Sequence, residues 1–237
     1  MGRLLINCDL GENETDEQTE KLLGLVDAAS ICCGEHAGSG AKTRRTLQMA
    51  AERGIMVGVH PGLAADGGRG GQLPGPAAFR ELLDRQITRF TSLAGSLGLP
   101  VAYLKLHGSL YHAVEADEAY AAVYLEWLHE QAPAPGVFAL AGGGFAEKAK
   151  AAGLKVWREA FADRGYRSNG TLVPRAAMGA VLDAATALAR FKKWQGSGLM
   201  ATVDARPIAL QADTFCVHSD SPDAETLLAG LKNLSSV

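Results

Sequence analysis

The chain has 237 residues, 47% of them hydrophobic and 21% charged, with a formal net charge of −3. That length fits one large domain or two small ones, and the composition excludes a disordered chain. The charge gives no bulk attraction to nucleic acid or to an anionic membrane. Glycine stands at 28 residues and aromatics at only 6%, which suggests an α/β protein with many tight strand-to-helix turns.

In chain order, residues 4–8 read as a strand and 17–26 as a helix, followed by a strand at 28–33 and a helix at 41–53. A β-branched strand follows at 55–59. Residues 76–97 form a long helix, because Phe79, Leu82, Leu83, Ile87, Phe90 and Leu93 recur at helical spacing. Pro76 suits its first turn. Strands are expected at 101–106, 137–140, 155–161 and 214–217, and helices at 118–130, 145–152, 176–191 and 224–234. About seven strand–helix units in alternation imply a parallel sheet. A small (β/α) barrel, closed or incomplete, within a single domain over 1–237 is the favoured architecture, with an open doubly wound sheet as the alternative.

No stretch reaches the ~20 apolar residues of a membrane span. Met1, Gly2 and Arg3 precede only a short apolar run, so no signal peptide is expected and the cytoplasm is the expected location. Cys8, Cys32, Cys33 and Cys216 make no C-x-x-C pair and read as small buried hydrophobes.

The polar residues collect at one kind of place. His36, His60, His107 and His218 each lie just past the end of a predicted strand, as do Asp9, Asp163 and Asp220. In a parallel barrel those ends share the face where active sites are built. Side chains alternate along a strand, so Lys105 shares a face with His107, Asn7 with Asp9, and Cys216 with His218. An inward Lys105 needs either a carboxylate partner, Asp9 or Glu159, or an anionic ligand. Asp9, His36 and His60 suit a divalent metal with an open position for water. Without a metal, Asp9 and a histidine can serve as general bases. The segment 67–71 (GGRGG) is either a lid over the rim or a flexible loop; no Gly-Lys-Ser/Thr follows, so it is not a phosphate-binding P-loop. Gly142, Gly143 and Gly144 form either a tight turn or an anion site at a helix start. Arg164 and Arg175 lie in a long polar loop as candidate anion binders.

Seven segments, in order, resemble the LamB/YcsF family: NCDLGE (7–12), CGEHAG (33–38), GVHPG (58–62), KLHGSLY (105–111), EAFADRGY (159–166), NGTLVPR (169–175) and CVHSD (216–220). They span almost the whole chain. The resemblance implies a (β/α) barrel related to the glycoside hydrolase/deacetylase type. It implies ATP-coupled cleavage of the cyclic amide of 5-oxoproline to glutamate, as the A component beside B and C subunits that handle ATP. On that basis Asp9, His60, Lys105, His107 and Asp163 are the expected catalytic residues. Asn7, Glu12, His36, Arg164, Arg175 and His218 are the expected substrate-binding residues. The chain departs from the family pattern at Glu35, where Phe is usual, at Leu106, His112 and Ser219, and in LAADGGRGGQ (63–72), where a GFGRR-like run is usual. Two alternatives stay open: a metal-dependent deacetylase-like hydrolase acting alone, and a non-catalytic binding subunit. Self-association is a further possibility.

Overall fold

The computed structural model describes residues 3–70, 72–131 and 133–235. The elements run β1 (Leu5–Leu10), α1 (Asp16–Leu23), β2 (Ala28–Cys32), α2 (Gly40–Glu52), β3 (Met56–His60), a 3₁₀ turn (Ala65–Gly68), α3 (Pro76–Ser96) and β4 (Tyr103–Leu104). They continue with α4 (Gly108–Ala116), α5 (Glu118–Glu130), β5 (Gly136–Leu140), α6 (Gly144–Ala151), β6 (Val156–Phe161) and α7 (Ala184–Ser197). A two-stranded hairpin, β7 (Leu199–Met200) and β8 (Ile208–Ala209), precedes β9 (Thr214–His218) and α8 (Ala224–Ser235). The seven parallel strands close completely, in the order β1-β2-β3-β4-β5-β6-β9. The barrel is therefore not incomplete: β9 pairs with β6 on one side and β1 on the other.

Two apolar regions hold this arrangement. The outer one lies between barrel and helices. There α3 contributes Phe79, Leu83, Ile87 and Phe90, the helical stripe expected from the sequence. The inner one plugs the base of the barrel, where Tyr103 stacks on Phe138 at 3.7 Å and Trp157 packs edge-on. Above this plug the interior turns polar: Ser30 bonds the Tyr103 hydroxyl, and Asn7 Nδ2 donates to Thr214 Oγ1.

Gly58 makes room for the plug. A Cβ there would lie 2.2 Å from the Tyr103 ring. Gly58→Ala is expected to destabilise the fold by about 1–3 kcal/mol through overpacking. A lowered urea midpoint at unchanged m-value would show it; an unchanged midpoint would mean the plug rearranges freely.

The expected helix at 176–191 is corrected. Asp183 caps the helix by accepting from Thr186 N, so α7 starts at Ala184 and runs on to Ser197. Residues 176–183 are drawn away from helix by pairing with the segment after β6: Gly165 N donates to Ala180 O, and Leu182 N to Asp163 O. The strand expected at 101–106 is a ladder only at Tyr103–Leu104, and the chain past His107 turns at once into α4. No helix among the described residues is long and apolar enough to cross a membrane.

Candidate active site

The barrel rim carries a cavity of about 350 Å³ at the carboxyl ends of the strands, the face where such barrels build active sites. Asp9, His60, Lys105 and His107 form its floor, and Arg69, Arg164, Arg175 and His218 stand around it.

Strand parity puts Asp9, Lys105 and Cys216 inside. Lys105 Nζ lies 2.6 Å from Asp9 Oδ1, 3.0 Å from Glu159 Oε1 and 3.1 Å from Cys216 Sγ. The ammonium donates to Asp9 and to Cys216 and forms an ion pair with Glu159, so the carboxylate pairing is realised. Burial works to raise the Asp9 carboxyl, but Lys105 and His60 outweigh it and hold Asp9 well below the ordinary carboxylate range. Glu159 is raised, because burial there exceeds the attraction of Lys105. Cys8 points the other way, into the outer core, and burial pushes its thiol up. All four cysteines are free and buried. Cys216 is more than a packing residue, since it touches the ammonium.

Next to Asp9, four donors converge. Single atoms of Glu12, His36, His60 and His107 all lie within 4.8 Å of one another. Of the expected trio, His36 and His60 belong to this set, with Glu12 and His107 beside them; Asp9 lies next to it, its Oδ1 at Lys105 and its Oδ2 3.4 Å from His60 Nε2. Glu12 is buried against these histidines. Glu14 shapes its loop by accepting from Gly11 N and Glu12 N. Glu12 Oε1 lies 3.1 Å from His36 Nε2 and 3.3 Å from His107 Nδ1.

Two backbone carbonyls set the ring protons. His60 Nδ1 is 2.7 Å from Lys105 O, and His107 Nε2 is 2.9 Å from Gly67 O. A carbonyl only accepts, so each of those nitrogens carries the hydrogen. His60 Nε2 and His107 Nδ1 then face each other at 2.9 Å with lone pairs alone. A cation between them, or one further proton, satisfies that arrangement. The donor types and the carbonyl-fixed tautomers are those of a divalent-metal site, so these residues fit the group.

The loops around the cluster are held from outside. Glu35 accepts from Arg85 and from Gln86, and Gln86 clamps both the N–H and the carbonyl of Gly62. Glu35 at this position is thus half of an ion pair bracing the turn after β3. The 67–70 segment is an ordered turn seated on the rim, and Gly71 lies outside the described residues. Gly68, at φ +73°, has no room for a side chain, since a Cβ would meet the His107 ring at 2.6 Å. The three glycines at 142–144 host no free anion site: Glu115 Oε2 accepts from Phe145 N at the start of α6.

A second group stands across the cavity. His218 Nδ1 is 2.9 Å from Asp163 Oδ2, and its ring stacks on Phe161. Asp163 is held below its ordinary value; burial opposes this, and His218 overcomes it. The carboxylate fixes the Nδ1–H tautomer of His218 and leaves Nε2 as the basic atom. Arg164 donates Nε to Ala180 O and Nη2 to Val173 O, so most of its fork is structural although it lines the cavity. Arg175 donates twice to Asp220. Asn7 does not reach the cavity; it is buried one layer below, against Thr214. The role of Asp220 beside Arg69 and Arg175 is not evident in the sequence, where 151 residues separate Arg69 from it.

The chain matches the model of the LamB/YcsF family over residues 4–235. It is 36% identical to the A subunit of 5-oxoprolinase from Syntrophobacter fumaroxidans over 233 residues, which cover 96% of this chain and 92% of that protein. It is 35% identical to the corresponding 5-oxoprolinase polypeptide of Neisseria meningitidis serogroup B, over 98% of this chain and 99% of that protein. Among solved structures, the lactam utilization protein of Thermus thermophilus superposes with a TM-score of 0.87 at 28% identity, over 98% of this chain and 97% of that one. A family 4 carbohydrate esterase of Streptomyces lividans shares the fold at a TM-score of 0.52 and 9% identity, over 99% of this chain and 88% of that one.

Proposed function

The chain belongs to the LamB/YcsF family, and we propose that it acts as the A component of an ATP-dependent 5-oxoprolinase. In this reading it hydrolyses the cyclic amide of 5-oxoproline to glutamate, with B and C subunits supplying the ATP-dependent step. The relatives' names support the substrate and, through the word subunit, the existence of partners. The observation that carries the reading is the Asp163–His218 pair facing an arginine-lined cavity.

The chemistry follows from the placement. His218 Nε2 takes a proton from a water as it adds to the ring carbonyl. The same proton is then available to the ring nitrogen as the C–N bond breaks. The oxygen of that carbonyl gains negative charge, and the cationic mouth lowers the energy of that charge. An amide in an unstrained five-membered ring is a poor electrophile. A phosphoryl group from ATP on that oxygen makes the addition feasible: the ring then opens to an acyl phosphate, which a second water cleaves to glutamate and phosphate, and this chain carries no Gly-Lys-Ser/Thr phosphate loop of its own. Glu12, His36, His60 and His107 would hold a divalent metal. When bound, such an ion supplies Lewis-acid polarisation at the cavity floor.

That four-donor cluster also favours a second reading, a metal-dependent hydrolase acting alone. One assay separates the two. The purified chain is mixed with candidate B and C subunits, ATP and 5-oxoproline, and glutamate release is measured with and without chelator. The expected result is release that requires every component and ATP. Release by the chain alone, independent of ATP and abolished by chelator, would replace the proposal with the second reading.

A further inference from the structure

Three loops from distant parts of the chain meet at the cavity mouth on one carboxylate. Arg69, from the turn after β3, donates Nη1 to Asp220 Oδ2. Arg175, from the loop after β6, donates to both oxygens of Asp220 at 3.0 and 3.1 Å. Asp220 itself follows β9. Arg164 stands close to both guanidiniums, which, after burial, disfavour its own charge. Three guanidiniums therefore face two carboxylates, Asp220 and Asp163, and Asp163 is also bonded to His218. The mouth carries more positive charge than the chain itself neutralises.

The bridge is only partly buried. The side chains of Arg69, Arg175 and Asp220 are 28%, 32% and 37% exposed. Ion pairs so exposed hold weakly, and an oxyanion presented to the same forks competes on equal chemical terms. The glycines at 67, 68 and 70 around Arg69 leave it without bulky neighbours in its own segment.

We propose that Asp220 is an internal stand-in for the anionic group of the substrate. The Arg69–Arg175 pair is the recognition site, and an incoming carboxylate or phosphate oxyanion displaces Asp220 from it. This rests on the reading of the rim cavity as the substrate site, and it assigns Arg69 and Asp220 to specificity. Removing the charge of Asp220 then vacates the site for a ligand. Removing either arginine weakens the ligand's hold.

The test uses the full chain alone, without partners or ATP, so that its outcome is independent of turnover. Titration calorimetry at low ionic strength measures binding of inorganic phosphate in one arm and of 5-oxoproline in the other. Asp220→Asn is expected to tighten at least one of them by roughly three- to tenfold, the size of one removed surface ion pair. Tightening in the phosphate arm alone identifies a phosphorylated ligand; tightening in the 5-oxoproline arm alone identifies the carboxylate. Arg69→Gln and Arg175→Gln, with Asp220 intact, are each expected to weaken binding in the same arm, and they serve if Asp220→Asn does not fold. Unchanged or weaker binding by folded Asp220→Asn overturns the proposal, as does unchanged binding by both arginine variants. Absence of glutamate release in the reconstituted assay, with these affinity changes present, would remove the functional reading and leave the anion site standing.

Discussion

Replacing Lys105 by methionine is expected to destabilise the fold by roughly 3–5 kcal/mol, the usual consequence of stripping a buried charge of its partner. Lys105 is 2% exposed and is the sole cation shown in ion-pair contact with both Asp9 and Glu159 among the described residues. Its loss leaves these two carboxylates side by side in the barrel. Glu159 is already raised by burial and can take a proton. Asp9, which Lys105 and then His60 hold well below the carboxylate range in the native protein, keeps only His60 against the cost of its burial. The urea midpoint measures the effect. Adding Asp9→Asn to Lys105→Met removes the orphaned charge and is expected to recover much of the loss, a coupling that a double-mutant cycle reads directly. A Lys105→Met protein within about 0.5 kcal/mol of wild type would show that the interior is wetter or more adaptable than these contacts imply.

The surroundings of Lys105 are partly legible in the sequence. The two-residue spacing between Lys105 and His107, and between Cys216 and His218, puts each pair on one face of an extended segment, β9 for the second pair and the stretch just past β4 for the first. The structure brings Lys105 to Asp9, Glu159 and Cys216, and His107 to His60. The histidines converge for the same reason: each follows a strand, and parallel strands in a closed barrel end together. What parity leaves undecided is the partner. It offers Lys105 a carboxylate or a ligand, and only the closure of β9 against β6, which sets Glu159 opposite Thr214, brings the second carboxylate into reach.

Other features escape the sequence because they depend on side chains far apart along it or on loop geometry. Glu12 joins the histidines only because Glu14 folds the loop after β1 back on itself. Residues 176–183 are alanine-rich and look helical locally, but hydrogen bonds to Asp163 and Gly165 override that preference. The Asp183 cap is a local signal that marks the true start of α7. The glycines of 67–70, standing where the family pattern carries arginines, suggest a loss of recognition; the remaining Arg69 is instead held at the cavity mouth by Asp220.

Asp163→Asn is expected to lower glutamate release by roughly 10²–10⁴-fold, the range associated with a positioned general base, while leaving the fold intact. Asp163 Oδ2 accepts from both His218 Nδ1 and the His218 backbone N–H. An asparagine can keep the backbone bond through its oxygen. That same oxygen also keeps the bond from Nδ1–H, and the amide nitrogen takes the place of Oδ1, 3.2 Å from Nδ1. The negative charge is lost, so the imidazolium that His218 becomes on taking the water's proton is no longer stabilised, without any change in volume. An unchanged urea midpoint, with ¹⁵N shifts of His218 that keep the Nδ1–H tautomer, separates this mechanism from a general loss of structure. Asp163 therefore acts as a positioning residue, and His218 is the group that meets the water. Turnover within about threefold of wild type, with the fold intact, would move the base to the other side of the cavity, to Asp9 and His60, whose atoms lie 3.4 Å apart.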